Sequence, residues 1–179
     1  GSLNLTAAAL RLGDAPAGST DADGTLRLGE DFLERGGFHR FNLDGRQSLT
    51  VEAGTQLAPR ARLWRATNAP RLAPSGSTDW YKALRLEEPA SGYALPVTLR
   101  LASSGYTATD PQGRLLIDTG AAITLAPTSR LELSARNQLR LDGRLVAPGG
   151  QVSLGLAGAG APSQARALWL GSTSVIDVA

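Results

Sequence analysis

Ile123-Thr-Leu-Ala-Pro-Thr-Ser-Arg-Leu131 carries the reading of the fold in nine residues. Ile123 and Leu125 flank Thr124 in the period-two pattern of a strand with one buried face. Ala-Pro-Thr-Ser then ends the strand, because proline fixes φ and removes a donor while small polar residues favour turns. Leu131-Glu-Leu133 opens the next strand. The same strand-corner-strand phrase returns as Leu49-Thr-Val-Glu-Ala-Gly-Thr-Gln-Leu57 and as Leu168-Trp-Leu-Gly-Ser-Thr-Ser-Val-Ile176. In all three the apolar ends lie eight residues apart.

Working outward, period two dominates the rest of the chain. Leu3-Asn-Leu5, Leu26-Arg-Leu28, Phe41-Asn-Leu43, Leu49-Thr-Val51, Val97 to Leu101, Leu115-Leu-Ile117, Leu139-Arg-Leu141, Val152 to Leu156 and Leu168-Trp-Leu170 all read as short strands. From residue 115 onward a short apolar strand recurs every six to sixteen residues. Hairpin meanders use longer strands of about five or six residues. Very short strands joined by corners fit a coil in which each strand stacks on its equivalent one turn away. The expected fold is therefore all-β, a right-handed parallel β-helix. A β-sandwich is the alternative, since short strands with regular turns also suit that architecture. The one helical pattern is Gly29-Glu-Asp-Phe-Leu-Glu-Arg35, capped by Gly36-Gly37, which predicts one or two turns.

Composition agrees with a layered β core. The 179 residues allow one domain with a substantial core. Hydrophobic residues make up 42% but aromatics only 5%, so small aliphatic side chains must fill the interior. Twenty-one glycines and ten prolines imply many turns. Cysteine is absent, a habit of large exported bacterial proteins. Methionine is absent too, and Gly1-Ser2 in place of an initiator reads as a cloning remnant. Residues 3–179 are then a single β-helix segment from inside a longer protein. No apolar run approaches the ~20 residues of a membrane span. Net charge is +2, and the arginines are spread along the chain rather than clustered, which argues against a nucleic-acid face. Residues 59–92, with four prolines and Trp80-Tyr81, break the rhythm and read as an inserted loop or small subdomain.

The run Leu139-Arg-Leu-Asp-Gly-Arg-Leu-Val-Ala-Pro-Gly-Gly-Gln-Val-Ser-Leu154 then joins Ile123-Thr-Leu125 and Leu168 to Val178 in one pattern. That pattern resembles the haemagglutinin-repeat region of filamentous-haemagglutinin-like exoproteins, with a fainter echo from Gly36 to Ala58. The resemblance covers about half of the chain and contains no catalytic motif. It implies a right-handed parallel β-helix, secretion through an outer-membrane transporter partner, a place at the bacterial cell surface, and a structural and adhesive role without enzymatic activity. It also implies contact with host or bacterial surface glycans or proteins. A carbohydrate-binding module and a polysaccharide-active β-helix enzyme are the competing functions. No cofactor is expected.

Several residue groups qualify as candidate sites. Ser19 to Glu30 partly matches a twelve-residue calcium loop, with Asp21, Asp23, Gly24 and Glu30 at its third, fifth, sixth and twelfth positions; the usual first carboxylate is replaced by Ser19. The bland reading of the same residues is an Asp-Gly turn. His39 is the only histidine, so a triad would have to use it, with Asp44 and Ser48 near in sequence. Asp118, Glu132 and Asp142 could stack on adjacent turns beside Arg114, Arg130 and Arg140, as a polysaccharide-cleaving site requires. Trp80 and Tyr81 are candidate glycan contacts. Trp64 and Trp169 are the other tryptophans, and alternation points Trp169 outward if Leu168 and Leu170 point in.

Overall fold

The computed structural model describes residues 1–15, 20–67, 84–87, 89, 94–107, 112–157 and 166–179. These residues are all-β, with 54% in strands and almost none in helix. The strands of the two larger sheets fall into three columns, and from residue 40 onward each pass of the chain adds one strand to each. The first column holds residues 2–7 of β1 (Ser2–Leu12), 40–45 of β3 (Arg40–Val51), then β7 (Thr98–Ser103), β10 (Arg130–Ala135) and β13 (Gln151–Leu156). The second holds β2 (Thr25–Leu28), residues 9–12 of β1, 48–51 of β3, then β8 (Arg114–Ile117), β11 (Gln138–Leu141) and β14 (Ala167–Leu170). These two columns form one sheet. The third column is a separate sheet of β4 (Gln56–Leu57), β9 (Ala122–Thr124), β12 (Arg144–Val146) and β15 (Val175–Asp177).

Every pairing in both sheets is parallel. The antiparallel hairpins that would build a sandwich do not join these strands. The antiparallel pair among the described residues is β5 (Leu63–Ala66) with β6 (Leu84–Glu87), inside the stretch predicted to interrupt the rhythm. Parallel neighbours need a connection of a dozen or more residues. Here the strands of the other columns supply it, so Leu131 and Val152 pair although they lie 21 residues apart. The predicted helical turn is a 3-10 helix, Glu30–Glu34.

Apolar residues in register fill the interior. Leu3, Phe41, Leu99, Leu131 and Val152 face one another through the first column. Leu26, Leu10, Leu49, Leu115, Leu139 and Leu168 do so in the second. Leu57, Ile123, Leu145 and Ile176 do so in the third. The inner members of these rows are fully buried, as is Leu57 at the N-terminal end of the third. Leu139 and Leu141 are inward as expected, and Val152 and Leu154 pack half-buried against the core. Leu168 and Leu170 occupy inward positions of the last pass, yet are 38% and 55% exposed because no strand among the described residues lies beyond them.

The three eight-residue phrases prove to span two different corners. Leu49 to Leu57 and Leu168 to Ile176 turn from the second column into the third, closed by N–H donation from Thr55 to Glu52 O and from Ser174 to Gly171 O, both 3.1 Å. Ile123 to Leu131 leaves the third column for the first column of the next pass. There Ala126-Pro-Thr-Ser129 and Ala147-Pro-Gly-Gly150 superpose in register, with Thr128 N–H donating to Pro148 O at 2.8 Å. Proline at the second position and a left-handed residue at the third define a type II turn. Gly149 takes that place at φ 57°, and Thr128 takes it at φ 61°. A β-branched residue there is held against roughly 1–2 kcal/mol of backbone strain. Thr128→Gly is therefore expected to raise stability by about 0.5 kcal/mol, the relief exceeding glycine's extra unfolded-state entropy. A urea midpoint that falls in the variant would refute this account.

Candidate functional site

The acidic residues expected to stack are divided by the fold. Asp118 N–H donates to Val51 O at 3.0 Å, Asp142 N–H to Ile117 O at 2.8 Å, and Glu52 N–H to Leu12 O at 2.9 Å. Glu52, Asp118 and Asp142 thus occupy one row at the corner after the second column, one strand spacing of ~4.8 Å apart in backbone. Glu132 lies instead in the first column, opposite Arg100 and Ser153. Glu52 was not anticipated in this row. The signal was present: Val51-Glu52-Ala-Gly54, Ile117-Asp118-Thr-Gly120 and Leu141-Asp142-Gly143 each place an acid after the last apolar residue and a glycine close behind.

Each carboxylate in the row has its own partner. Glu52 Oε1 accepts from Arg11 Nη1 at 2.9 Å. Asp118 Oδ1 accepts the Thr119 N–H at 2.7 Å. Asp142, only 6% exposed, pairs through Oδ2 with Arg140 Nε at 2.5 Å. Arg130 likewise pairs with Glu132 at 2.6 Å. Arg114 stands in the second column between Ser48 and Gln138, facing outward and exposed.

The calcium-loop carboxylates also turn to protein partners. Both oxygens of Asp21 accept from Arg27, through Nε and Nη2 at 2.7 Å each. Arg27 further reaches Glu52 at 3.6 Å, and Arg11 reaches Asp21 at 3.8 Å. Glu30 Oε1 accepts the Gln56 N–H at 3.1 Å. Asp23 sits in the turn before β2, and Gly24 follows it at φ 79°. Ser19 lies outside the described residues. Among the described residues no cluster of three histidine, cysteine or acidic side chains has metal-binding geometry.

The hydrogen bonds from Arg27, aided by its charge and that of Arg11, hold the Asp21 carboxyl below its ordinary value of 3.8, against a smaller opposing push from desolvation. A depressed folded-state pKa adds stability above the unfolded value that is lost as pH falls through the folded one. Melting temperature should therefore fall below about pH 4 more steeply in the native chain than in Asp21→Asn. Equal slopes in thermal melts of the two proteins would refute the pair's contribution.

His39 is exposed at the mouth of β3, with Nδ1 2.9 Å from the Gly1 amine. Asp44 lies about 16 Å further along extended backbone, and its two oxygens accept from the Ser104 amide (3.1 Å) and hydroxyl (2.7 Å). Ser48 begins the second column beside Ala9 and Arg114. The fold does not bring these three together as a triad.

Trp80 and Tyr81 lie outside the described residues. Trp64 is 60% exposed on β5. Trp169 points outward as predicted and is 56% exposed, in register with Arg140 on the neighbouring strand. Tyr106 carries the Arg46 guanidinium 5.5 Å from its ring centre, at the corner between the first two columns.

No family model, curated protein or solved structure matches the chain. What the described residues define is a class: an all-β protein of nearly closed, parallel strand columns. No helix among them is long and apolar enough to cross a membrane.

Proposed function

We propose that the chain is a right-handed parallel β-helix segment of a large secreted bacterial exoprotein of the filamentous-haemagglutinin type. It acts as a stiff scaffold at the cell surface, displaying distal regions and mediating attachment, without chemistry of its own. The observation that carries this reading is the set of unbroken in-register apolar rows through parallel passes. Each pass rests mainly on its neighbours, so such a structure lengthens without a new core. Side-chain hydrogen bonds at strand ends tie neighbouring passes together: Ser103 Oγ donates to Gly45 O at 2.7 Å and Ser129 Oγ accepts the Val97 N–H at 3.0 Å. Of the corners that suggested the family, Asp142-Gly143 stacks on the Asp118 corner of the pass before, and Ala147-Pro-Gly-Gly150 stacks on Ala126-Pro-Thr-Ser129.

The test is passage through a transporter. The chain is fused behind a two-partner secretion domain and co-expressed with the matching outer-membrane pore. Surface exposure, read by protease accessibility on intact cells, is the expected result. Retention in the periplasm, with the secretion domain alone passing, would sink the proposal.

A second reading, a glycan-binding face, is favoured by Trp169. A solvent-facing indole in register with an arginine on the neighbouring strand offers a sugar ring a stacking surface and hydrogen-bond donors. A glycan array comparing the native chain with Trp169→Ala tests it; equal signal from both would remove that reading.

A further inference from the structure

The two ends of the strand columns are finished differently. At the N-terminal end, β2 follows β1 in sequence but lies on the far side of β1 from β3. The chain thus doubles back, buries Leu28, and packs Leu33 of the 3-10 helix to 1% exposure. Glu30 in that helix accepts the Gln56 N–H, tying the cap to the first strand of the third column. Two of the three columns are closed there.

At the other end β13, β14 and β15 are each last in their sheets. Leu168, Leu170 and Ile176 are 38%, 55% and 41% exposed, whereas their register partners Leu139, Leu141 and Leu145 are fully buried. Trp169, Val175 and Val178 add exposed apolar surface at the same end. Exposed sheet edges in stable proteins carry lysine, proline or bulges that block pairing. β13, β14 and β15 contain neither lysine nor proline, and Asp177 is their only charged residue, 3.7 Å from Arg144.

We propose that this end is the seat of one further turn of the same coil, supplied by polypeptide of the same protein. That turn brings three short parallel strands, with apolar side chains set on Val152 and Leu154, on Leu168 and Leu170, and on Ile176. The inference rests on the β-helix reading. Strand polarity separates this occupant from a second copy. A second copy stacking by its N-terminal end would seat β1 on β13, and its β2, one strand further out, would then fall at the level of β14. A second copy stacking by its C-terminal end about a two-fold axis would run antiparallel to these edges. One more turn of the coil meets all three edges with the polarity that every other pairing in the two sheets uses.

The experiment appends a turn made from the chain's own sequence. Gly149-Gly150 followed by residues 130–148 is fused after Ala179, and a second protein carries the same residues scrambled. The expected result is a monomer that melts several degrees higher with the native-order tail and unchanged with the scrambled one. Leu170→Lys should lower the melting temperature by about 2 °C or less in the 179-residue chain, but by roughly 10 °C in the extended chain, where the side chain becomes buried. Equal stabilisation by the scrambled tail, or an equal effect of Leu170→Lys in both backgrounds, overturns the proposal. So does a concentration-dependent dimer of the 179-residue chain that Leu170→Lys abolishes, which assigns the end to a second copy. Leu139→Lys separates the two levels of inference. If this buried position tolerates lysine, the ladder reading itself fails.

Discussion

Gly143→Ala should destabilise the protein by about 3 kcal/mol. Gly143 sits between β11 and β12, where the corner is two residues long; the equivalent corner one pass earlier, Asp118 to Ala121, has four. The shorter path draws the chain against that earlier pass. A Cβ at position 143 would collide with the carbonyl oxygen of Ala121 and meet Asp118 O and Ile117 Cγ2, each at 2.9 Å. Two of these three are backbone, which cannot swing aside. The Ala121 carbonyl also accepts the Arg144 N–H at 2.8 Å, the bond that brings β12 onto β9. Alanine therefore strains the corner and loosens the third column together. Two other glycines calibrate the effect. Gly149→Ala meets no atom within 4 Å but must hold φ 57°, for about 1 kcal/mol. Gly155→Ala meets nothing and needs no left-handed backbone, so it should be neutral or slightly stabilising. Urea midpoints of the three variants should rank in that order, and a Gly143→Ala loss no larger than that of Gly149→Ala would refute the close approach.

Period two located the strands because each needs at least two alternating apolar residues to be visible. Leu131-Glu-Leu133 and Leu139-Arg-Leu141 met that condition. Gln56–Leu57 and Val175–Asp177 did not, because so short a strand shows no alternation and exists only by stacking on its neighbour in the third column. The sequence also divides Phe41-Asn-Leu43 from Leu49-Thr-Val51, whereas β3 runs through both. Gly45 permits this: its missing Cβ leaves room for the Ser48 carbonyl, so the strand bends without ending. In the next pass the same two columns are held by separate strands, β7 ending at Ser103 and β8 beginning at Arg114. The acidic row was half legible for a related reason. Asp118 and Asp142 stand out by sequence, but which third acid joins them depends on register, and Val51 pairing with Ile117 selects Glu52 over Glu132. Asp21 illustrates the opposite limit. Its spacing fits a calcium loop, and only the position of Arg27, brought beside it by β2, shows where its charge is used.

Truncation along a single apolar row should give losses that peak in the middle and fall toward both ends. Phe41→Ala should be the most damaging, at about 4 kcal/mol. Phe41 is fully buried between Leu3 and Leu99 and makes an edge-to-face contact with Phe38, with centroids 6.2 Å apart at 75°. Leu99→Ala and Leu131→Ala, also fully buried, should cost about 3 kcal/mol each. Leu3→Ala and Val152→Ala, half-buried on end strands, should cost about 1 kcal/mol, since each loses partners on one side only. The reasoning is specific to stacked passes. In a core with a single centre, burial depends on distance from that centre in three dimensions. Here it depends on how many passes lie on either side, so chemically similar residues in one row differ only by rank. Urea denaturation of the five variants measures this directly. A flat profile, with Val152→Ala as costly as Leu131→Ala, would mean that the end strands are covered and that the rows do not terminate where the columns do.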